Sequence, residues 1–271
     1  MPQQWTRRTL LGTLATSAGF AKSRMRAGCQ TRCYGSPIRD KQKLLAVLED
    51  LAAAGYEGFE TNFASLEHSF DDPKQMVKEM AARGMKLIGL HAAPKFAIPA
   101  EVEKAKRIAR AIAELGGGHF VCSTSGEIDA AATDQFGEYC RSVGVRLCLH
   151  NHLKELENGG QVMRAALEQT QPANVSAMFD LSYFSDAGLS APEWMTKYAR
   201  RIAGVHVRDH RDGKEVLLGE GKLQAREIGE ALQKADWSGW VILEMNTRPD
   251  LSSREVVTRG RKFLREQMGV A

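Results

Sequence analysis

The sequence predicts a single-domain α/β protein, a (β/α)8 TIM barrel. Three observations carry this. Apolar strand-like runs alternate with helix-period segments eight times after a short leader. About 245 residues for eight such pairs is the usual size of that barrel. The runs are continuous in apolar character, as strands covered on both faces should be. The rival, an open doubly wound sheet, would carry a G-x-G-x-x-G turn after its first strand, and that turn here reads Gly35-Ser36-Pro37-Ile38. No interdomain linker, internal repeat or low-complexity stretch interrupts the pattern.

The elements follow in order. Cys29–Tyr34 is expected as the first strand. Residues 40–54 then place Leu44, Leu45, Val47, Leu48 and Leu51 at helical spacing, and Gly55 follows as a helix stop. Strand two spans 57–62 and helix two 72–83, closed by Gly84. Strand three spans 86–91 and helix three 101–115, ahead of Gly116-Gly117-Gly118. Strand four is 119–123 and helix four 130–143, ending at Gly144. Strand five is 145–150, helix five 161–170, strand six 175–180 and helix six 191–200. Strand seven is 202–207, followed by a polar excursion from Asp209 to Gly221 with turn glycines at Gly213 and Gly219. Helix seven spans 224–235, strand eight 240–245 and helix eight 252–266.

Composition narrows the function classes. The 271 residues are 43% hydrophobic and 26% charged, with mean hydropathy −0.33. That balance excludes a disordered chain and a membrane bundle. The cysteine number, five, is odd and includes no C-x-x-C pair, so buried reduced thiols are expected rather than a disulfide framework or zinc knuckle. Residues 1–21 carry Arg7-Arg8 ahead of a short apolar stretch, Leu10 to Ala21, too short to span a bilayer. This order matches a twin-arginine signal peptide with periplasmic export; an ordinary N-terminal helix, and so a cytoplasmic barrel, is the alternative. The barrel would then occupy residues 22–271. Removing residues 1–21 takes away two arginines and no acid, so the formal charge falls from +4 to +2. With no long basic run, no nucleic-acid partner is expected. No membrane span is expected either, and homo-oligomerisation is left open.

Chemistry concentrates at the strand ends. The carboxyl ends of barrel strands form the functional face. Here they finish in Glu60, His91, His150-Asn151-His152 with Glu155 behind, Asp180, His206-Val207-Arg208-Asp209, and Glu244. Such groups cost several kcal/mol each if buried without partners. A divalent ion would satisfy several at once, and Asp180, His206 and Glu244 offer the mixed nitrogen and oxygen donors it takes. His150 and His152 alternate on one strand and face the same side; either is a fourth ligand, the other then binding substrate. Glu60 reads equally as a base, as a partner behind a ligand, or as a member of a barrel salt bridge. Asp209 reads as a group orienting a neighbour or pairing with Arg208. His119 and His210 read as surface or packing residues. Cys122, Cys140 and Cys148 read as core filler.

The succession Gly-Tyr-Glu-Gly-Phe-Glu, Gly-Leu-His, His-Asn-His-x-x-Glu, Phe-Asp, Val-His-Val-Arg-Asp, Gly-Glu-Gly, Leu-Glu resembles the sugar phosphate isomerase/epimerase family. This belongs to the xylose isomerase-like barrel superfamily, which also contains endonuclease IV. The resemblance runs from about Cys29 to the C-terminus. It implies a divalent metal (Mn, Mg, Co or Zn) held at the positions of His150, Asp180, His206 and Glu244. His91, Arg208, Asp209 and Glu155 then serve substrate binding, with Glu244, His152 and Glu60 as the catalytic set. Three departures stand out. The strand-five position, a glutamate in many members, is His150. The frequent Asp-x-x-His reads Asp180-Leu181-Ser182-Tyr183. The usual lysine of His-x-Lys-Asp is Arg208.

The resemblance implies isomerisation or epimerisation of a sugar or keto-sugar by proton transfer alpha to a carbonyl. A family epimerase uses two carboxylates, and with His150 in place of one, a lyase, dehydratase or hydrolase of a keto-sugar or 3-keto-glycoside is the alternative. Two readings of other classes are a DNA-repair endonuclease and a catalytically silent sugar-binding barrel. The small net charge and the single metal set argue against the first. The complete Asp180, His206 and Glu244 set argues against the second.

Overall fold

The computed structural model describes residues 25–124 and 126–271. The leader expected at residues 1–21 lies outside the described residues. Eight parallel strands close into a barrel: β1 (Arg26–Gln30), β2 (Gly58–Asn62), β3 (Lys86–Ala92), β4 (His119–Ser123), β5 (Arg146–His150), β6 (Val175–Asp180), β7 (Ile202–Val207) and β10 (Trp240–Leu243), which pairs back with β1. The intervening β8 (Asp209–Arg211) and β9 (Lys214–Val216) form a small antiparallel hairpin in the polar excursion. Its turn, Asp212-Gly213, holds both residues at positive φ (53° and 71°), the geometry a two-residue hairpin favours.

The outer ring comprises α1 (Lys41–Ala53), α2 (Pro73–Ala82), α3 (Pro99–Glu114), α4 (Ala130–Ser142), α5 (Leu153–Gln169), α6 (Ser182–Asp186), α7 (Ala191–Tyr198), α8 (Ala225–Lys234) and α9 (Ser253–Met268). Caps set several starts. Asp40 accepts from the Lys43 amide, Asp129 from Ala132, and Ser252 forms a capping box with Glu255. No helix among the described residues is long and apolar enough to cross a membrane.

Three local readings need correction. The first strand is Arg26–Gln30, not Cys29–Tyr34; Thr31–Tyr34 is a 3-10 turn that ends on Gly35 at φ 83°. The strand was hidden because its inner positions are small. A Cβ on Gly28 would lie 2.4 Å from the Ile88 side chain, so the position cannot carry the β-branched residues that mark strands. Helix five begins earlier than expected, at Leu153, and breaks over Glu157–Gly160 before resuming. A short helix, α6, also precedes α7, where the sequence shows only a connection.

Strand alternation divides the core. One set of side chains packs under the helices: Phe179, for example, meets Phe184 and Trp194 edge-on, with ring centroids 5.5 and 5.8 Å away. The other set fills the barrel. Ile88, Val121, Cys148, Met178, Trp240 and Ile242 form a separate buried cluster. Two residues further along their strands, Val121, Cys148, Met178 and Ile242 give way to Ser123, His150, Asp180 and Glu244. An apolar plug therefore forms the floor, and polar groups stand on it. All five cysteines are buried and free.

Two register shifts aim key histidines. Phe59 pairs with Leu87 but Glu60 with Gly89, so β3 carries one extra residue before His91. Ala177 pairs with Ile202 but Met178 with Gly204, so β7 carries one before His206. Bulges of this kind re-aim the residues that follow. At the first, a Cβ on Gly89 would sit 2.2 Å from the His119 carbonyl oxygen. Gly89→Ala is therefore expected to destabilise the protein by about 1–3 kcal/mol. Urea denaturation checks this, and an unchanged midpoint would contradict it.

Candidate active site

The carboxyl ends of the strands surround a cavity of about 450 Å³, lined in part by His91, His150, His152, Tyr183, Arg208 and Glu244. At its floor lies His206 of β7, fully buried. Its Nε2 is 3.0 Å from Glu60 Oε2 of β2. Its Nδ1 is 2.9 Å from Glu244 Oε2, just beyond β10, and 3.2 Å from His150 Nδ1 of β5. His91 of β3 completes the group, with Nδ1 3.3 Å from Glu60 Oε1 and Nε2 2.6 Å from Ser123 Oγ.

A second charge cluster adjoins the first. Arg208 follows β7 and is buried. Its Nη2 stands 2.8 Å from Glu244 Oε2, its Nε 3.0 Å from Asp180 Oδ2, and its Nη1 3.7 Å from Glu215 Oε2 of β9. Asp180 Oδ1 accepts from the Ser182 amide at 3.1 Å and the Ser182 hydroxyl at 2.6 Å. Asn151 locks the ends of β5 and β6 together: its Nδ2 donates to the Asp180 carbonyl and its Oδ1 accepts from the Asp180 amide.

These contacts set the protonation states. Burial lowers the proton affinity of His206, but Glu60 and Glu244 outweigh it and push its pKa up to about 10. Burial drives His150 well below the ordinary histidine value; Glu244 opposes this, while His206 adds to it. Burial would raise Glu244, yet Arg208 and His206 hold it well below the usual carboxylate range. Burial would likewise raise Glu60, and His206 and His91 hold it low. The ion-free floor is thus an imidazolium between two carboxylates, beside a neutral imidazole.

The donors suit a metal. His150 Nδ1 or Nε2, His206 and Glu244 each offer an atom, all within 4.8 Å of one another. Glu244 Oε2 is buried between His206 Nδ1 at 2.9 Å and Arg208 Nη2 at 2.8 Å, so the carboxylate is held charged within this donor set. Behind His206, the second ring nitrogen meets Glu60, an arrangement that fixes the ring of a ligating histidine. Only His150 belongs to strand five, which ends there, and it joins this cluster; His152, expected on the same strand, is instead the N-cap of α5. His152 lies beside His150, ring centroid 4.9 Å away, at the cavity wall.

The remaining expected residues fall in different places. His91, His152 and Arg208 line the cavity, whereas Glu60 lies behind it, paired with His206 and His91. Asp180 stands outside the three-donor cluster. Glu155 and Asp209 do not reach the cavity. Glu155 accepts from the His152 amide at 2.8 Å and from the Gly126 amide, tying the start of α5 to the loop after β4. Asp209 accepts from the amides of Gly219, Gly221 and Leu223, each at 2.9 Å. Both carboxylates hold loop backbone in place. His210, read as surface or packing, is buried and meets Asp186 Oδ2 at 2.6 Å. Sequence reasoning passed over Asn151, Ser182 and Glu215. Asn151 and Ser182 sit within the quoted strand-end motifs, but ordinary polar residues beside a motif carry no signal of their own.

A family model described as xylose isomerase-like TIM barrel matches residues 48–267, and the chain belongs to that family. An inosose dehydratase of Lacticaseibacillus casei is 23% identical over 161 residues, covering 52% of this chain and 54% of that protein. The chain thus spans about half the length of the curated relatives it matches. A sugar phosphate isomerase/epimerase of Parabacteroides distasonis shares the fold at TM-score 0.73 and 19% identity, over 94% of this chain and 97% of that one. A D-psicose 3-epimerase of Clostridium cellulolyticum, solved with D-tagatose, does so at TM-score 0.76 and 15% identity, over 90% and 99%.

The electrostatics generate a pH prediction for ion-free protein. An unfolded histidine loses its proton near 6.5, and His206 in the fold near 10. The stability this lends is complete below the lower value and is lost as pH rises toward the upper one. EDTA-treated protein is expected to lose stability over that interval. Glu60→Gln, which removes one of the two carboxylates, is expected to flatten the slope. Thermal denaturation of both proteins across the interval checks it; parallel slopes would refute it.

Proposed function

We propose that the protein is a divalent-metal-dependent isomerase or epimerase acting on a sugar or keto-sugar by proton transfer alpha to a carbonyl. The observation that carries this is the convergence of His150, His206 and Glu244 at the floor of a sugar-sized cavity in a barrel of this family. Such an ion, when bound, supplies a Lewis acid for the substrate's carbonyl oxygen.

The chain's own groups supply the rest. Glu244 is ionised and faces the cavity, so its carboxylate takes the proton from the carbon next to the carbonyl, and the C–H electron pair moves toward the carbonyl. Arg208 and His206 make it a weak base, so the step depends on a polarised carbonyl to acidify that carbon. His152 or His91, both at the cavity wall, returns a proton either to the opposite face of the same carbon, giving an epimer, or to the former carbonyl carbon, giving an isomer once the neighbouring hydroxyl gives up its proton. Arg208 holds Glu244 in place, and Glu60 holds the His206 ring.

A second reading, a lyase, is favoured by one observation: the strand-five position holds His150, so the floor brings a single carboxylate, Glu244, to the cavity. In that case the proton goes to Glu244, the electron pair expels a β-hydroxyl, and a histidine protonates the departing oxygen as water. The inosose dehydratase relatives support this reading.

Incubation with ketoses, inososes and 3-keto-glycosides in D2O, followed by NMR, tests both. Proton exchange is expected with the true substrate, yielding an isomer or a dehydrated product. Glu244→Gln is expected to lose at least about 100-fold in rate, and EDTA-treated protein to lose activity until an ion is restored. Full activity in either would overturn the proposal. The reading extends to export, supported by Arg7-Arg8 and the apolar stretch behind them. N-terminal sequencing of protein from the periplasmic fraction is expected to show cleavage after Ala21; an intact Met1 leader there would refute it.

A further inference from the structure

Asp180 differs from the other strand-end acids in what surrounds it. It is fully buried, and each of its oxygens has a partner within the chain. Oδ1 takes two bonds from Ser182, at 3.1 and 2.6 Å. Oδ2 faces Arg208 Nε at 3.0 Å. Its backbone amide and carbonyl are both held by the Asn151 side chain. The guanidinium cannot swing away freely, because Glu244 at 2.8 Å and Glu215 at 3.7 Å hold its other nitrogens. Glu215 is itself fixed by the Asn246 amide and side chain, at 3.0 and 2.9 Å.

A buried carboxylate needs one positive partner, and Asp180 has one built into the chain. A metal ion would have to displace that partner to recruit Asp180. Glu244 meets the same guanidinium, but through Oε2 alone, whereas both oxygens of Asp180 are engaged, and the donors that lie within 4.8 Å of one another are those of His150, His206 and Glu244. Two imidazoles and one carboxylate carry a single formal negative charge. Imidazole suits zinc, iron, nickel and copper, whereas magnesium and manganese suit oxygen-rich sets. Two histidines with one glutamate, the rest of the coordination left open, is an established catalytic zinc arrangement.

Building on the proposed metal dependence, we propose that Arg208 excludes Asp180 from the coordination sphere. The site is then a three-ligand His150–His206–Glu244 centre that selects nitrogen-preferring ions over magnesium. Arg208 acts as a positioning residue that sets metal choice.

The test uses the full chain after EDTA treatment, with zinc, cobalt(II) and magnesium titrated by calorimetry and cobalt binding followed by visible absorption. One zinc or cobalt per chain is expected, with magnesium at least about 100-fold weaker, the order imidazole donors impose. Asp180→Asn is expected to leave zinc affinity within about threefold and the cobalt spectrum unchanged, whereas Glu244→Gln, the loss of a true ligand, costs at least about 100-fold. Arg208→Met is expected to free Asp180 and raise magnesium affinity at least about tenfold.

If Asp180→Asn costs as much as Glu244→Gln, Asp180 is a ligand, and this inference falls while the metal reading stands. Magnesium binding as tight as zinc overturns the selectivity claim in the same way. If no ion binds, or Glu244→Gln changes nothing, the metal reading falls and takes this one with it. Circular dichroism separates a folded variant from a collapsed one, and either substitution alone decides the role of Asp180.

Discussion

The imidazole of His206 is the point on which the mouth of this barrel depends. It joins β2, β5, β7 and β10 through three contacts of 2.9 to 3.2 Å. Each partner would be expensive to bury alone: a lone carboxylate in this setting loses more in solvation than packing returns. Glu60 and Glu244 are tolerable there because one ring bridges them. The ring is tolerable because it is charged, or because a metal takes the place of its proton. Folding and the proposed ion binding thus call on the same atoms, and the site is assembled by the closure of the barrel itself.

The floor beneath makes this arrangement rigid. Met178, Trp240 and Ile242 pack with Ile88 and Val121 in the interior, and the small residues Gly28, Gly58 and Gly204 leave them room. A Cβ at Gly204 would lie 2.7 Å from the Met178 sulfur. Small residues on β1, β2 and β7 are thus complementary to large ones on β3, β6 and β10. The extra residues in β3 and β7 then turn His91 and His206 toward the axis. An apolar layer, two bulges and a polar layer above them follow from one alternation of side chains.

Much of this was legible in the sequence because two periodicities dominate it. The eight apolar runs and their polar last residues are a direct print of strands buried on both faces. Strands four, six and seven fall at their expected limits for that reason. The first strand did not, since Ala27 and Gly28 are chosen for space rather than for β propensity. The break in α5 was legible only in part: Asn158, Gly159 and Gly160 all take positive φ, and the sequence marks the break but not the helical turn before it. Carboxylates were the hardest to read. Asp209 and Glu155 stand beside site residues in the chain, yet they satisfy loop amides. A one-residue step along a strand end turns a side chain from the cavity to the loop, and no residue type records that direction.

The choice of arginine at position 208 shows how one substitution reorganises a site. A lysine offers a compact charge at the end of a flexible stem and neutralises whichever carboxylate is nearest. A guanidinium offers a planar fork of donors, and here that fork faces Asp180 at the end of β6, Glu244 beyond β10 and Glu215 of β9 at once. The hairpin therefore has a structural reason to fold over the site: Glu215 supplies the third acid and Asp209 clamps the returning loop by three amides. Arg208 is always charged, so the balance it imposes does not vary with pH. With a fixed charge on one side and the proposed exchangeable cation on the other, Glu244 would serve two partners. Its position is set by the arginine, and its chemistry by whatever occupies the space between the histidines.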